Sequence, residues 1–153
     1  MMRGKSPQKR GVAVVFGVFD LLHQGHLSFF DQASRHGNLV AIVARDSTVL
    51  KFKKRKPHHS EKIRLKAVRK MPEVKKAMLG DKIRGTYGVL KKIKPDVICL
   101  GYDQNELGKD ICARVKRGEL PRMKIIRLKS HEPKKFKTSI VAGRLFKNRI
   151  QSK

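Results

Sequence analysis

Apolar residues in this chain fall into short, nearly unbroken runs, separated by polar stretches in which apolar positions recur at helical spacing. Val12 to Phe16 is a continuous β-branched and aromatic run after a polar tail, the pattern of a strand buried on both faces. A turn with Gly17 and Asp20 follows. From about Gly25, residues Leu27, Phe30 and Ala33 repeat at helical spacing, and Gly37 is placed to end that helix. Leu39 to Ala44 reads as a second buried strand. Lys51 to Pro57 is almost entirely basic and ends in proline, which predicts a loop. Ser60 is placed to cap a helix running to about Met71, with Ile63, Ala67, Val68 and Met71 on its inner face. Val74 to Leu79 is a third strand, weakened by two lysines. Tyr87 to Ile93 is a helical stretch, Val97 to Leu100 a fourth strand and Ile111 to Val115 part of another helix. Met123 to Leu128 is a fifth strand, and Ile140 to Phe146 an amphipathic last helix.

Strands alternating with helices at this spacing require right-handed βαβ crossovers. The expected fold is α/β: a single doubly wound, Rossmann-like domain with a five-stranded parallel sheet and helices on both faces. It is expected over residues 11–148, between a basic N-terminal tail, 1–10, and a basic C-terminal tail, 149–153. A chain of 153 residues suits one core and not two. In such sheets ligands bind beyond the carboxyl ends of the strands where strand order reverses, so the ends of the first and fourth strands are the expected site.

Composition narrows the setting. The longest apolar stretch, Val12 to Phe19, meets Asp20 after about eight residues, against roughly 20 needed to cross a bilayer. Met1 to Arg10 is basic, but the apolar run behind it is strand-length and lacks a small-residue cleavage pattern, so it makes a poor signal peptide. The default compartment is the cytosol, where Cys99 and Cys112 are expected to stay reduced. The net charge of +26, from 38 Lys and Arg against 12 Asp and Glu, is extreme. A nucleoside triphosphate with a phosphorylated second substrate presents only about five or six negative charges, so substrate binding does not require this excess. Two readings stand: association with a polyanion such as RNA or DNA, or a generally basic proteome or salty cytosol in which charge is cheaply screened.

The most specific chemical signal is Gly17-Val18-Phe19-Asp20-Leu21-Leu22-His23-Gln24-Gly25-His26, delivered by the first strand to the carboxyl edge of the sheet. Two imidazoles at i and i+3, opening a helix, share one face beside the helix N-terminus, where backbone N–H groups favour phosphate. Attack by a phosphate oxygen on the α-phosphorus of a nucleotide needs alignment, and donors aimed at the charge developing on the α-phosphate and on departing pyrophosphate. Histidines supply such donors near neutral pH. Zinc ligation would need three or four ligands, and no Cys or His cluster of metal spacing lies nearby. The structural alternative is a pair of histidines that merely caps the helix. Neither GxxxxGK[ST] nor GxGxxG occurs, which disfavours a P-loop ATPase and a Rossmann dehydrogenase.

The segment GVFDLLHQGHLSFFDQA resembles the first motif of the cytidylyltransferase-like nucleotidyltransferases, whose signature is HxGH. Val43-Ala44-Arg45-Asp46, Arg55-Lys56-Pro57, the helix start from Ser60-Glu61 to Arg64 and Gly101-Tyr102-Asp103-Gln104 follow in the expected order. The resemblance implies transfer of a nucleoside monophosphate from a triphosphate, ATP or CTP, to a phosphorylated acceptor, with release of pyrophosphate and a requirement for Mg2+. It implies that His23 and His26 hold the triphosphate and stabilise the transition state. The Gly17 and Phe19 backbone would lie near the phosphates, with Asp20 and Gly25 in the same segment. Lys54 and Arg55 would come from a basic loop closing over substrate. Arg64 would orient phosphate or pair with Asp46 or Glu61, Gly101 would allow close approach, and Asp103 would accept from ribose hydroxyls. Relatives often dimerise, so a homodimer is expected by resemblance.

The last motif departs from the family. Many members carry an Arg-Thr-x-Gly-Ile-Ser-Thr-like segment before the final helix, where this chain reads His131-Glu132-Pro133-Lys134-Lys135-Phe136-Lys137-Thr138-Ser139-Ile140. Thr138 and Ser139 still suit a helix cap that presents N–H groups to phosphate. Within the superfamily the motif combination looks most like the small archaeal-type FAD synthases, which adenylate FMN, and glycerol-3-phosphate cytidylyltransferases share almost the same skeleton. A nucleic-acid-binding protein on a nucleotidyltransferase-like fold is the reading of another class, motivated by the charge.

Overall fold

The computed structural model describes residues 10–82 and 86–129. They form β1 (Val12–Gly17), α1 (Gln24–Ser34), β2 (Asn38–Val43), α2 (Asp46–Lys53), α3 (Glu61–Arg69), β3 (Val74–Leu79), α4 (Gly88–Ile93), β4 (Val97–Leu100), α5 (Asn105–Lys116) and β5 (Lys124–Arg127). The five strands make one sheet of order β3-β2-β1-β4-β5, with every pairing parallel. The expected doubly wound architecture is therefore present, and the order reverses between β1 and β4. The basic N-terminal tail, the helix expected over Ile140 to Phe146, and Thr138 and Ser139 lie outside the described residues.

Alternation along the central strands builds two cores. Ala13 and Val15 of β1 join Phe30 and Ala33 of α1 and Val68 of α3 on one face. Val14 joins Leu90 of α4 and Ile111 of α5 on the other. Side chains of a strand point alternately to opposite faces, so a strand covered on both sides must be apolar throughout, as β1, β4 and, after its first residue Asn38, β2 are. Among the described residues no helix is long and apolar enough to cross a membrane.

Three expectations need correction. The basic run from Lys51 does not begin a loop, because Lys51, Phe52 and Lys53 are the last turn of α2, and Lys54 ends it in the left-handed conformation with φ 61°. Val49 is the only buried residue of α2, so its apolar stripe is too thin to read, while lysines in a last turn are favoured by the helix dipole. Ile63 does not face inward on α3. It is 53% exposed, and Arg64 is buried in its stead at 1%. Gly37 does not end α1, whose cap is Arg35. Gly37 instead lets the chain pass Gly11, where a Cβ would stand 2.7 Å from the Gly11 carbonyl oxygen.

Candidate active site at the end of β1

Past β1 the chain turns through two non-glycine residues in the left-handed region, Phe19 (φ 54°) and Leu21 (φ 53°), each costing about 1–2 kcal/mol. That turn drives the Phe19 ring inward, 4% exposed, against Phe30 at 5.1 Å and His26 at 5.9 Å between centroids. Gly17 makes the room, since a Cβ there would sit 2.6 Å from the Phe19 ring. The structure thus shows Gly17 and Phe19 as a support beneath His26. Asp20 is 3% exposed, and its carboxylate accepts from the backbone N–H of His58 at 2.6 Å and of His59 at 3.0 Å. It pins the turn before α3 to the loop after β1.

The two histidines lock each other. His23 is the N-cap of α1, its Nδ1 accepting from Gly25 N–H at 3.0 Å. His26 Nδ1 accepts from His23 N–H at 3.2 Å, completing a capping box built from imidazoles. The structural alternative is therefore right about the Nδ1 atoms and leaves the Nε2 atoms to be explained. An Nδ1 that accepts carries no proton, so each neutral ring must carry its proton on Nε2. The ring centroids stand 4.1 Å apart. Burial lowers His23 to about pKa 4. Burial, then the neighbouring charges of His23 and Lys53, lower His26 to about 3. Both rings are thus neutral Nε2–H donors at pH 7. The Gly25 amide is spent on His23, and His23 Nε2 is itself covered.

Depressed histidine pKa values set a pH dependence of stability. Below about pH 6.5 the unfolded chain takes up protons that the folded rings refuse, so stability present in full above that pH is lost as pH falls toward about 3 for His26. At pH 5 this is about 2 kcal/mol for His26 alone. Urea unfolding at pH 7 and pH 5 is expected to show wild type losing about 2 kcal/mol more than His26→Asn, whose amide oxygen keeps the cap without titrating. Equal losses would contradict a buried neutral His26.

Arg64 is a strut, and of its two expected roles the pairing with Asp46 is the one the structure displays. Its Nη1 donates to the carbonyls of Val18 and Ala44, both at 2.8 Å, its Nε to that of His59 at 3.0 Å, and its Nη2 to Asp46 Oδ1 at 2.7 Å. The side chain is fully covered. Glu61 extends the network, accepting from Asp46 N–H at 2.8 Å and lying 3.8 Å from Arg45. An open cavity of about 560 Å³ lies over this network, lined by Arg45, Ser47, Ser60, Lys62 and Lys82 among others, but by neither His23 nor His26.

Lys54 and Arg55 are both exposed, directly after α2. The cation that His26 senses is Lys53, which the sequence reading passed over because it sits inside a run of like residues. Across the switch point Gly101 follows β4, and its N–H donates to Gln104 Oε1 at 2.8 Å, while Gln104 Nε2 donates to the Phe16 carbonyl at 2.9 Å. Gln104 therefore straps the end of β4 to the end of β1, a role the sequence reading also missed. Asp103 is exposed on the same turn.

Comparison with known proteins agrees with this geometry. Residues 14–142 match the cytidylyltransferase-like family. An FAD synthase of Methanohalophilus mahii is 39% identical over 140 residues, covering 90% of this chain and 92% of the relative. An FAD synthase of Aciduliprofundum boonei is 40% identical over 116 residues, or 75% and 76% of the two chains. The solved structure of a lipopolysaccharide core biosynthesis protein from Thermoplasma volcanium superposes with a TM-score of 0.73 at 30% identity, over 80% of this chain and 99% of that one. With the family matched over residues 14–142 and relatives of this identity and coverage, the chain belongs to the cytidylyltransferase-like family and is a nucleotidyltransferase.

Proposed function

We propose that this enzyme transfers the adenylyl group of ATP to FMN, forming FAD and pyrophosphate. The observation that carries the reaction class is the mutual lock of His23 and His26, which fixes two neutral Nε2–H donors at the carboxyl end of β1. The choice of acceptor is supported by the FAD synthases similar to this chain, that of Methanohalophilus mahii aligning along 90% of it.

In this reading an oxygen of the FMN phosphate attacks the α-phosphorus of ATP. A new P–O bond forms, the bond to the bridging oxygen breaks, and pyrophosphate leaves with the electron pair. No covalent enzyme intermediate is needed. Neutral imidazoles donate to the non-bridging oxygens as charge accumulates, where donors held in place in advance lower the barrier most. Lys53 adds positive charge beside His26, and Lys54 and Arg55 stand next to it in the chain. Gln104 keeps the ends of β1 and β4 together, so the nucleotide meets a surface of fixed width. Magnesium belongs to the same reading. Among the described residues no group of three or more His, Cys, Asp or Glu is placed to hold an ion. An ion carried by the triphosphate with its own waters would neutralise phosphate charge there.

The test is a pyrophosphate-release screen of ATP and CTP, each against FMN and glycerol 3-phosphate. Release with ATP and FMN alone is expected. Release with CTP and glycerol 3-phosphate instead would overturn the substrate assignment and leave the reaction class standing.

A further inference from the structure

The charge of +26 exceeds what ATP and FMN need, and the structure shows where part of the excess lies. Most described carboxylates are used internally. Asp20 holds the 58–59 backbone, Asp46 and Glu61 hold Arg64 and Arg45, Asp81 accepts from the start of α4, and Asp110 and Glu119 pair with Arg114 and Arg117. Among the described residues no lysine lies within 4.0 Å of a carboxylate. Lysine charge is therefore left facing solvent.

Apart from the basic run Lys51 to Lys56 around the end of α2, much of it is gathered at one edge. Lys62, Lys66, Arg69 and Lys70 are exposed along α3, and Lys75 and Lys76 on β3, the edge strand of the sheet. The one carboxylate between Lys62 and Lys76 in sequence is Glu73. Arg69 joins helix to strand by donating to the Ala77 carbonyl at 3.2 Å, so the row on α3 runs beside the edge strand that carries Lys75 and Lys76. On α5, by contrast, cations alternate with Glu106 and Asp110, and arginines pair with Asp110 and Glu119. A register shift opposite Leu39 and Val40, together with two lysines, blunts β3 as an edge and accounts for Lys75 and Lys76 on folding grounds. It does not account for the row on α3.

We propose that the α3–β3 edge binds the sugar–phosphate backbone of a nucleic acid duplex, without reading sequence. Lys62, Lys66 and Lys70 repeat every fourth residue along about 12 Å of helix, the length of three to four phosphates of one strand at roughly 3.4 Å each. The exposed side chains of the α3 row are lysines and Arg69 around Ile63, with no aromatic ring to stack on a base. Such a surface recognises phosphate spacing and charge, which RNA and DNA duplexes share.

Fluorescence anisotropy of the full chain with short RNA and DNA duplexes tests this. For wild type, log Kobs against log salt should fall with a slope of about −5, as for some six phosphate contacts, with both duplexes bound alike. Replacing Lys66, Lys70, Lys75 and Lys76 by Gln should bring the slope to about −2 and weaken binding at least about tenfold at 0.1 M salt. Replacing Lys91, Lys92, Lys109 and Lys116 by Gln removes equal charge elsewhere and should leave the slope near the wild-type value. Unchanged melting temperature and turnover in both variants would show that the fold is intact. Equal weakening in the two variants would overturn a localised surface. So would a wild-type slope shallower than about −2, a tenfold preference for one sequence, or tighter binding to phosphatidylserine vesicles than to either duplex.

Discussion

Replacing His26 by Ala is expected to lower kcat about 100- to 1000-fold while the chain stays folded. The size follows from losing one donor aimed at charge that develops only in the transition state, typically about 3–4 kcal/mol. Two effects are mixed in that variant, because His26 Nδ1 also accepts from the His23 backbone N–H. Loss of that cap costs about 1 kcal/mol of stability. Asn and Gln separate them. His26→Asn places an acceptor where Nδ1 stands and no donor at Nε2, so it should restore stability and leave activity low. His26→Gln reaches the Nε2 position and should recover part of kcat while remaining less stable. Steady-state pyrophosphate release and urea unfolding on the three variants give both readouts. An Ala variant within about fivefold of wild type would contradict a donor role, since a transition-state donor is worth far more.

Arg64→Met should destabilise the protein by about 3–5 kcal/mol, the largest loss expected from any single change described for this fold. Methionine fills a similar volume, so packing alone predicts little change. What it abandons is three backbone carbonyls, those of Val18, Ala44 and His59, together with the Asp46 carboxylate. Acceptors left buried without a donor cost about 1–3 kcal/mol each, and those of Val18 and His59 sit in the two loops that frame the site. Arg64→Lys keeps the charge but cannot fork toward four acceptors, so it should fall between Met and wild type. Urea midpoints compared at constant slope measure this. A loss below about 1 kcal/mol for Met would show that the strut is dispensable.

These two residues mark the boundary of what can be read from the chain alone. The sheet was legible because β1, β4 and, after Asn38, β2 are buried on both faces and so are apolar without alternation. The switch point followed from that topology, and His23 and His26 from their spacing at its edge. Arg64 was only half legible. An arginine on the inner stripe of a helix interrupts the apolar pattern, and the carbonyls that compensate it come from residues 46 and 20 positions away as well as from His59 nearby. The same long-range character hid Gln104, whose two partners lie three and 88 positions away. Lys53 was hidden differently: within a run of five basic residues nothing local distinguishes the one whose charge reaches His26. The imidazole capping box was legible in outline, as histidines beside a glycine at a helix start. The nitrogen that faces inward was not, because tautomers are set by partners.

The central claim is that this site moves an intact nucleoside monophosphate to a phosphorylated acceptor. ATP labelled at its α-phosphate, incubated with FMN and the enzyme, tests it directly. The label should pass into FAD, with one pyrophosphate released for each FAD formed, and both products should form about 100- to 1000-fold more slowly with His26→Ala at the same enzyme concentration. Label that stays in ATP, or appears in free AMP or inorganic phosphate with no flavin product, would contradict the account.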